Sequence, residues 1–284
     1  MYPDRIIYIF ADRCNMACSF CYMPWERRPV LRNVAIEVLE RILSWGVKSI
    51  TFGGGDPLLY DWLDDLLRIT RKRVFTQLDT NGLGFTDDKM DRLQPLVDML
   101  GLPLDAVSLA VSRNMRKHRN HASIVKGLIP KAVAHGFTVK VNTVVSRVNL
   151  HEIMRIGEVV ERSGASVWSL YQFWPVGEYG SKNAAIHMID LDSYTRIVDS
   201  ARKCFSGVHI EDGGDMKTRC RSYFLLSPTG RAWTISRHDA AKHVELGNIL
   251  MNEENVLRNW HEHADSDANA GRITSRIALL ASAC

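Results

Sequence analysis

No stretch of this chain approaches the roughly 18 consecutive apolar residues that a bilayer-spanning helix needs. Its first residues, Met1-Tyr2-Pro3-Asp4-Arg5, lack the layout of a secretory leader and run straight into a strand-like segment. Charge of one sign is scarce too: the formal net charge is +4 over 284 residues, too little to announce nucleic acid or a lipid surface as partner. These absences make a cytoplasmic protein the expectation, with no membrane and no nucleic acid. Cysteine is rare, with six in the whole chain, and Cys284 is itself the last residue, so it forms no prenylation motif. Yet three of the six crowd into "DRCNMACSFCYMPW", residues 12–25.

What is present describes a globular protein with a sizeable core: 46% of residues are hydrophobic and 24% charged. Strand-like runs at 5–10, 48–52, 74–79, 105–111, 138–145 and 166–173 alternate with helical patterns near 34–45, 60–72, 87–100, 121–135 and 151–163. Strands separated by helices imply βα units and a parallel sheet. Six units predict an α/β fold, a partial (βα)6 barrel of the TIM type over residues 1–185. Chemistry is then expected at the C-terminal ends of the strands. From about residue 186 the pattern changes. A helix over 191–204, a hairpin around Pro228 and Gly230 and a charged helix over 252–263 predict an α+β extension, 186–284, that covers the barrel on its substrate side.

Cys14, Cys18 and Cys21 follow the first strand directly. A disulfide staple is disfavoured in a reducing compartment. A structural zinc ordinarily closes on four ligands, and neither a second cysteine pair nor a nearby histidine completes the set. Three thiolates on a four-iron cluster leave one iron open to a substrate group, which is a chemical arrangement. A zinc-binding interaction module on the same cysteines is the non-enzyme alternative. The histidines His118, His121, His187, His238, His243, His261 and His263 show no ligand spacing and read as core or surface residues.

The spacing C-x₃-C-x-Φ-C, with Phe20 at the aromatic position, resembles the signature of the radical S-adenosylmethionine superfamily. The resemblance extends along residues 5 to 175 and implies a 4Fe–4S cluster on Cys14, Cys18 and Cys21. It further implies S-adenosylmethionine on the open iron and a 5′-deoxyadenosyl radical that abstracts a substrate hydrogen atom. Gly54-Gly55-Asp56-Pro57 looks like the family's Gly-Gly-Glu-Pro segment, with Asp one methylene shorter than the usual Glu. Its glycines would let backbone carbonyls meet the cofactor's ammonium. By the same resemblance Thr80, Asn81, Ser108, Asn142, Ser146 and Arg147 sit at strand ends that contact the cofactor's carboxylate and ribose. An electron donor such as flavodoxin or ferredoxin is implied as partner.

After the sixth strand, Gly177 and Gly180 permit a tight backbone that Asn183 would anchor, and Trp174 reads as a cavity wall. "MKTRCRSYFLLSPTGRAWTISRHDAAKHVELGNIL" (216–250) resembles a cluster-binding extension of the SPASM or twitch type. It lacks a cysteine after Gly230, so Cys220 alone holds no second cluster. Lys217, Arg219, Arg221, Arg231 and Arg237 suit an anionic ligand or, equally, a solvated hairpin. "VNTVVSRVNLHE", "LYQF" and "MKTRCRSYFLL" are similar to segments of the viperin-like family. The expected substrate is a small polar molecule: a sugar, an aminocyclitol or a nucleotide. Elimination, rearrangement or epimerisation would follow hydrogen abstraction, with Cys220 as the hydrogen-atom donor of an epimerase. A viperin-like nucleotide dehydratase and a peptide-modifying enzyme are the alternatives.

Overall fold

A computed structural model describes residues 1–25 and 29–272, so Cys284 lies outside the described residues. Strand β1 (Arg5–Ala11) is followed by helix α1 (Arg32–Ser44), β2 (Ser49–Gly54), α2 (Leu63–Thr70) and β3 (Phe75–Asp79). Next come α3 (Asp87–Leu93), β4 (Met99–Pro103), α4 (Leu109–Arg116), α5 (His121–Ala134), β5 (Val139–Val145), α6 (Ile153–Arg162) and β6 (Val167–Gln172). Two short helices, α7 (Gly177–Lys182) and α8 (Ala184–His187), precede α9 (Leu191–Cys204) and β7 (His209–Asp212). The described chain then runs through α10 (Met216–Cys220), β8 (Leu225–Leu226), β9 (Arg231–Ile235), β10 (His243–Asn248) and α11 (Glu253–His263).

One strand differs from the sequence pattern. Residues 105–111 alternate like a strand, but the fourth strand is Met99–Pro103 and Leu109–Arg116 is helical. Ser108 decides this, because its hydroxyl accepts the Val111 N–H and caps a helix at the next residue. Ser108 is therefore a helix cap and does not stand at a strand end. The parallel order also runs one strand past the sixth, to β7.

The described residues divide into two compact units: 1–14, 25, 29–78 and 217–272 form one, and 15–24 with 79–216 the other. The boundary expected at 185 falls inside α8, and the compact units cut the chain elsewhere. In the first unit β1 lies between β2 and β8, parallel to both, and β9 and β10 continue from β8 antiparallel. Every residue of β1 is buried, as expected of a parallel strand covered on both faces. Hairpin β8–β9 forms where the sequence places it, around Pro228 and Gly230.

In the second unit β4, β5, β6 and β7 pair in parallel in that order. Trp168 of β6 is fully buried, meets the Phe205 ring edge-on at 5.6 Å and donates its indole N–H to Thr143 Oγ1. Gly157 on α6 makes room for both rings: a Cβ there would come within 2.3 Å of Phe205 and 2.6 Å of Trp168. Burying two such rings is worth several kcal/mol, about 25 cal/mol per Å² of apolar surface. A side chain at position 157 would therefore wedge apart the helix–sheet contact.

Candidate functional site

The loop of residues 15–24 in the second unit carries Cys18, Phe20 and Cys21, and hydrogen bonds hold it from three sides. The Ser19 N–H donates to the Met115 carbonyl at 2.8 Å, at the end of α4. The Cys21 carbonyl accepts the Gly180 N–H at 3.0 Å, and Asn183 Nδ2 donates to the Ser19 carbonyl at 3.0 Å. Asn183 thus anchors the turn, as its position in the sequence suggested. Gly177 has φ +78°, and a Cβ there would strike the Tyr22 backbone at 2.6 Å, so only glycine fits. Trp174 is buried, with its ring 6.3 Å from that of Tyr22.

His187 joins this loop to the end of β5. Its Nε2 lies 2.8 Å from Ser19 Oγ and its Nδ1 3.2 Å from Ser146 Oγ. The Ser19 hydroxyl has carbonyl acceptors of its own at Asn114 and Met115. That arrangement assigns the proton to Nε2, which donates to Ser19, and leaves Nδ1 to accept from Ser146. The ring is 1% exposed and packs between Phe20 and Phe173. Burial, with Lys117 adding to it, lowers its pKa to about 4, so the imidazole is neutral near pH 7.

Arg116, at the last position of α4, reaches the same loop. Its guanidinium pairs with Asp105, lies 4.8 Å over the Phe20 ring, and brings Nη1 within 3.6 Å of Cys18 Sγ. Burial alone would push the guanidinium toward neutrality; the Asp105 carboxylate and the Cys18 sulfur overcome that and hold the charge. Burial pushes the Cys18 thiol up, with Arg116 pulling against it. Asp105 is held in turn: Oδ1 accepts the Val144 N–H, and its carbonyl accepts from Asn149 Nδ2. Neither Arg116 nor His187 was singled out from sequence as a site residue. Neither had a signal in the sequence: Arg116 followed a run that reads as a strand, and His187 stood among histidines without ligand spacing.

The remaining expected residues of this unit lie on turns, except Asn142, which stands in the middle of β5. Asn81 Nδ2 donates to Asn15 Oδ1 at 2.7 Å, and the Asn81 carbonyl lies 2.9 Å from His121 Nε2. Thr80 Oγ1 accepts the Gly82 N–H. Asn142 on β5 is half-buried, and nearby Gly101 on β4 has no room for a Cβ, which would sit 1.9 Å from Asp79 Oδ1 and 3.0 Å from Asn142 Nδ2. Ser146 is fully buried, whereas Arg147 is exposed and donates from Nη1 to the Ala185 carbonyl.

In the first unit, the Gly-Gly-Asp-Pro segment ties down the chain that leads into Cys14. The Gly55 N–H donates to the Ala11 carbonyl at 2.6 Å and the Asp56 N–H to the Arg13 carbonyl at 2.7 Å. A Cβ at Gly54 would lie 2.4 Å from the Ala11 oxygen, and one at Gly55 1.9 Å from the Arg13 oxygen. These glycines therefore accommodate the protein's own backbone. Asp56 is fully buried, and its Oδ1 accepts the Leu58 N–H, capping the short turn Pro57–Leu59. Tyr60 completes the support: its hydroxyl accepts the Asp12 N–H, and Arg13 lies 4.7 Å over its ring.

Also in the first unit, Cys220 is 3% exposed and its thiol donates to the Lys217 carbonyl of the same short helix. Arg231 forms a two-pronged pair with Glu245 across the hairpin, and Arg237 donates to the Ala264 carbonyl. Arg219 donates to the Tyr223 hydroxyl, and the guanidiniums of Arg5, Arg219 and Arg272 all lie within 5.7 Å of the Tyr223 ring. Burial raises the Tyr223 pKa, but these three charges outweigh it and bring it down to about 7.

The donor set of the cysteine segment is three thiols, the ligand type that iron–sulfur clusters take. Among the described residues no group of three or more His, Cys, Asp or Glu stands arranged to hold a single metal ion. No described helix is long and apolar enough to cross a membrane.

Residues 8–160 match the Radical SAM superfamily. The chain is 27% identical over 279 residues to an S-adenosylmethionine-dependent nucleotide dehydratase of Lacinutrix mariniflava, covering 92% of this chain and 56% of that protein. It is 30% identical over 190 residues to a GTP 3′,8-cyclase of Erythrobacter litoralis, covering 61% of this chain and 56% of the cyclase. The chain thus spans a little over half the length of each. Among solved structures, Streptococcus suis SuiB bound to S-adenosylmethionine superposes with a TM-score of 0.74 at 15% identity, over 95% of this chain and 67% of that one. At that identity the likeness is one of fold: α/β with a parallel sheet, of the partial-barrel kind.

Proposed function

The chain belongs to the radical S-adenosylmethionine superfamily, and from that premise we propose that it removes a hydrogen atom from a nucleotide and so drives an elimination. It is an enzyme, and its cofactors are a 4Fe–4S cluster and S-adenosylmethionine. The observation that carries the substrate class is that relatives of two reaction types, a dehydratase and a cyclase, are both named for nucleotides. The peptide-modifying alternative draws only on structural likeness, which speaks for fold.

Cys14, Cys18 and Cys21 would hold the cluster. When bound, the two cofactors supply the 5′-deoxyadenosyl radical that takes the substrate hydrogen. The protein's part is to position and to shield. Ser19, Asn183 and Gly180 hold the cysteine loop. Asn142, Ser146, Thr80 and Asn81 offer hydroxyl and amide groups suited to ribose and carboxylate, and Arg147 a guanidinium suited to a carboxylate. The half-buried Asn142, beside a glycine that leaves it room, is the best placed of these for a ligand. Gly54, Gly55 and Asp56 would serve the cofactor through the backbone they shape, the Asp56 carboxylate being committed to a cap. A low-potential one-electron carrier of the flavodoxin or ferredoxin type would supply the electron.

Elimination is favoured over epimerisation by the state of Cys220. An epimerase needs a hydrogen-atom donor, and this thiol is buried and already donates within its own helix. The test is deuterium transfer into 5′-deoxyadenosine from labelled nucleoside phosphates, sugars, aminocyclitols and peptides. Transfer from a nucleotide alone is the expected result; transfer from a sugar, aminocyclitol or peptide and not from nucleotides would overturn the substrate class. With the identified substrate, Cys220→Ala is expected to turn over as the wild type does. Loss of product with continued 5′-deoxyadenosine formation, and solvent deuterium in the wild-type product, would restore the epimerase.

A further inference from the structure

A buried charge beside a cluster ligand has consequences for electron transfer. Arg116 Nη1 lies 3.6 Å from Cys18 Sγ, within range of an N–H···S hydrogen bond. The guanidinium is 12% exposed and Asp105, its ion-pair partner, 1%. Asp105 is itself held by the Val144 N–H, and Phe20, two residues after Cys18, lies under the guanidinium plane. Three contacts therefore fix one cation against one thiol.

Hydrogen bonds to cysteine sulfurs and the burial of nearby charge are main determinants of iron–sulfur potentials. Reduction adds one negative charge to a thiolate-ligated group, so a fixed N–H donor and a fixed cation both favour the reduced state. The effect is large where water is excluded, because Coulomb interactions grow as the local dielectric falls. The geometry points to Arg116 as a positioning residue that hydrogen-bonds the Cys18 sulfur and thereby makes the bound cluster easier to reduce by one electron. In that step one electron enters from an external low-potential reductant; no bond is made or broken.

The inference rests on the cluster assignment above, and the experiment separates the two. The reconstituted full chain, without S-adenosylmethionine, is titrated with dithionite and followed by electron paramagnetic resonance. Iron and sulfide are counted on the same samples. Arg116→Gln leaves Asp105 buried and alone, so the double variant Arg116→Gln with Asp105→Asn is the primary one, since it removes both charges together. Its midpoint is expected to shift to a more negative potential with iron and sulfide unchanged. Arg116→Lys, which keeps a cation, is expected to fall between it and the wild type. A double variant with full iron and an unmoved midpoint overturns the role of Arg116. Loss of iron in proportion to any loss of signal, with the remaining clusters at the wild-type midpoint, shows a purely structural role and overturns it too. A wild-type chain that assembles no cluster overturns the assignment beneath it instead.

Discussion

The loop of residues 15–24 and the hairpin β8–β9 with its neighbour β10 both carry cysteine or arginine, yet they use them in opposite ways. Around the loop, charge is buried: Arg116 and Asp105 are both sequestered, and His187 is neutral and bonded at both nitrogens. On the hairpin, Arg231 is 29% exposed in its side chain, and Glu245 is 52% exposed. Taking a charge out of water costs several kcal/mol unless geometry restores it, whereas an exposed pair gains and loses little. Fixed buried polarity is the more informative of the two, because folding alone does not repay it.

Substituting Cys18 by Ala should produce the largest effect, abolishing both iron uptake and reductive cleavage of S-adenosylmethionine, since two thiolates do not retain the cluster. Iron analysis and 5′-deoxyadenosine assay would expose any residual activity, and full activity in the variant would undo the contrast. Cys14→Ala and Cys21→Ala should behave alike.

Acid should strain the loop next, although not the loop alone, since burial also lowers the pKa of His243, at the start of β10, to about 4. His187 has a folded pKa of about 4, below the ordinary 6.5, so the unfolded chain binds a proton first as pH falls. Its contribution is therefore intact above 6.5 and is lost progressively as pH drops toward 4, by at most about 1.4 kcal/mol per pH unit. His187→Gln should flatten the fall in stability between pH 6.5 and 5, read by denaturant melts; an unchanged slope would show that the ring titrates normally.

Asp56 should give a smaller effect. Asp56→Ala removes a cap worth about 1 kcal/mol and is expected to weaken S-adenosylmethionine binding with iron content intact. Asp56→Asn keeps the cap and should restore most of the stability. Equal loss of iron in the alanine variant would contradict the separation of its role from that of the cysteines. The smallest effect belongs to the hairpin: Arg231→Ala should change stability by less than about 1 kcal/mol. A larger loss in thermal melting would mean that this pair is not the solvated contact it resembles.

How far the site could be read from sequence depended on whether a residue acts through neighbours in the chain or through distant ones. The cysteine spacing was legible because its constraint acts over a few residues, whereas the glycines at 54 and 55 and Asn183 stood out only as turn residue types, and Asn183 meets Ser19 across 164 positions. Even there the reason changed: the glycines admit the backbone of Ala11 and Arg13. Strand four was misplaced because "DAVSLAV" alternates like a strand, while the deciding contact, Ser108 to Val111, is a cap. Arg116 meets Cys18 across 98 positions and His187 meets Ser19 across 168. No local pattern encodes such pairs.

By itself the sequence determined the fold class and the superfamily, because alternating βα periodicity and a three-thiol spacing are local properties that leave a local signature. Tertiary structure alone decided which charge stands beside Cys18, which tautomer His187 adopts and that Cys220 is buried against its own helix. Those outcomes depend on desolvation and on partners brought together only when the strands pair, and burial is a property of the folded chain.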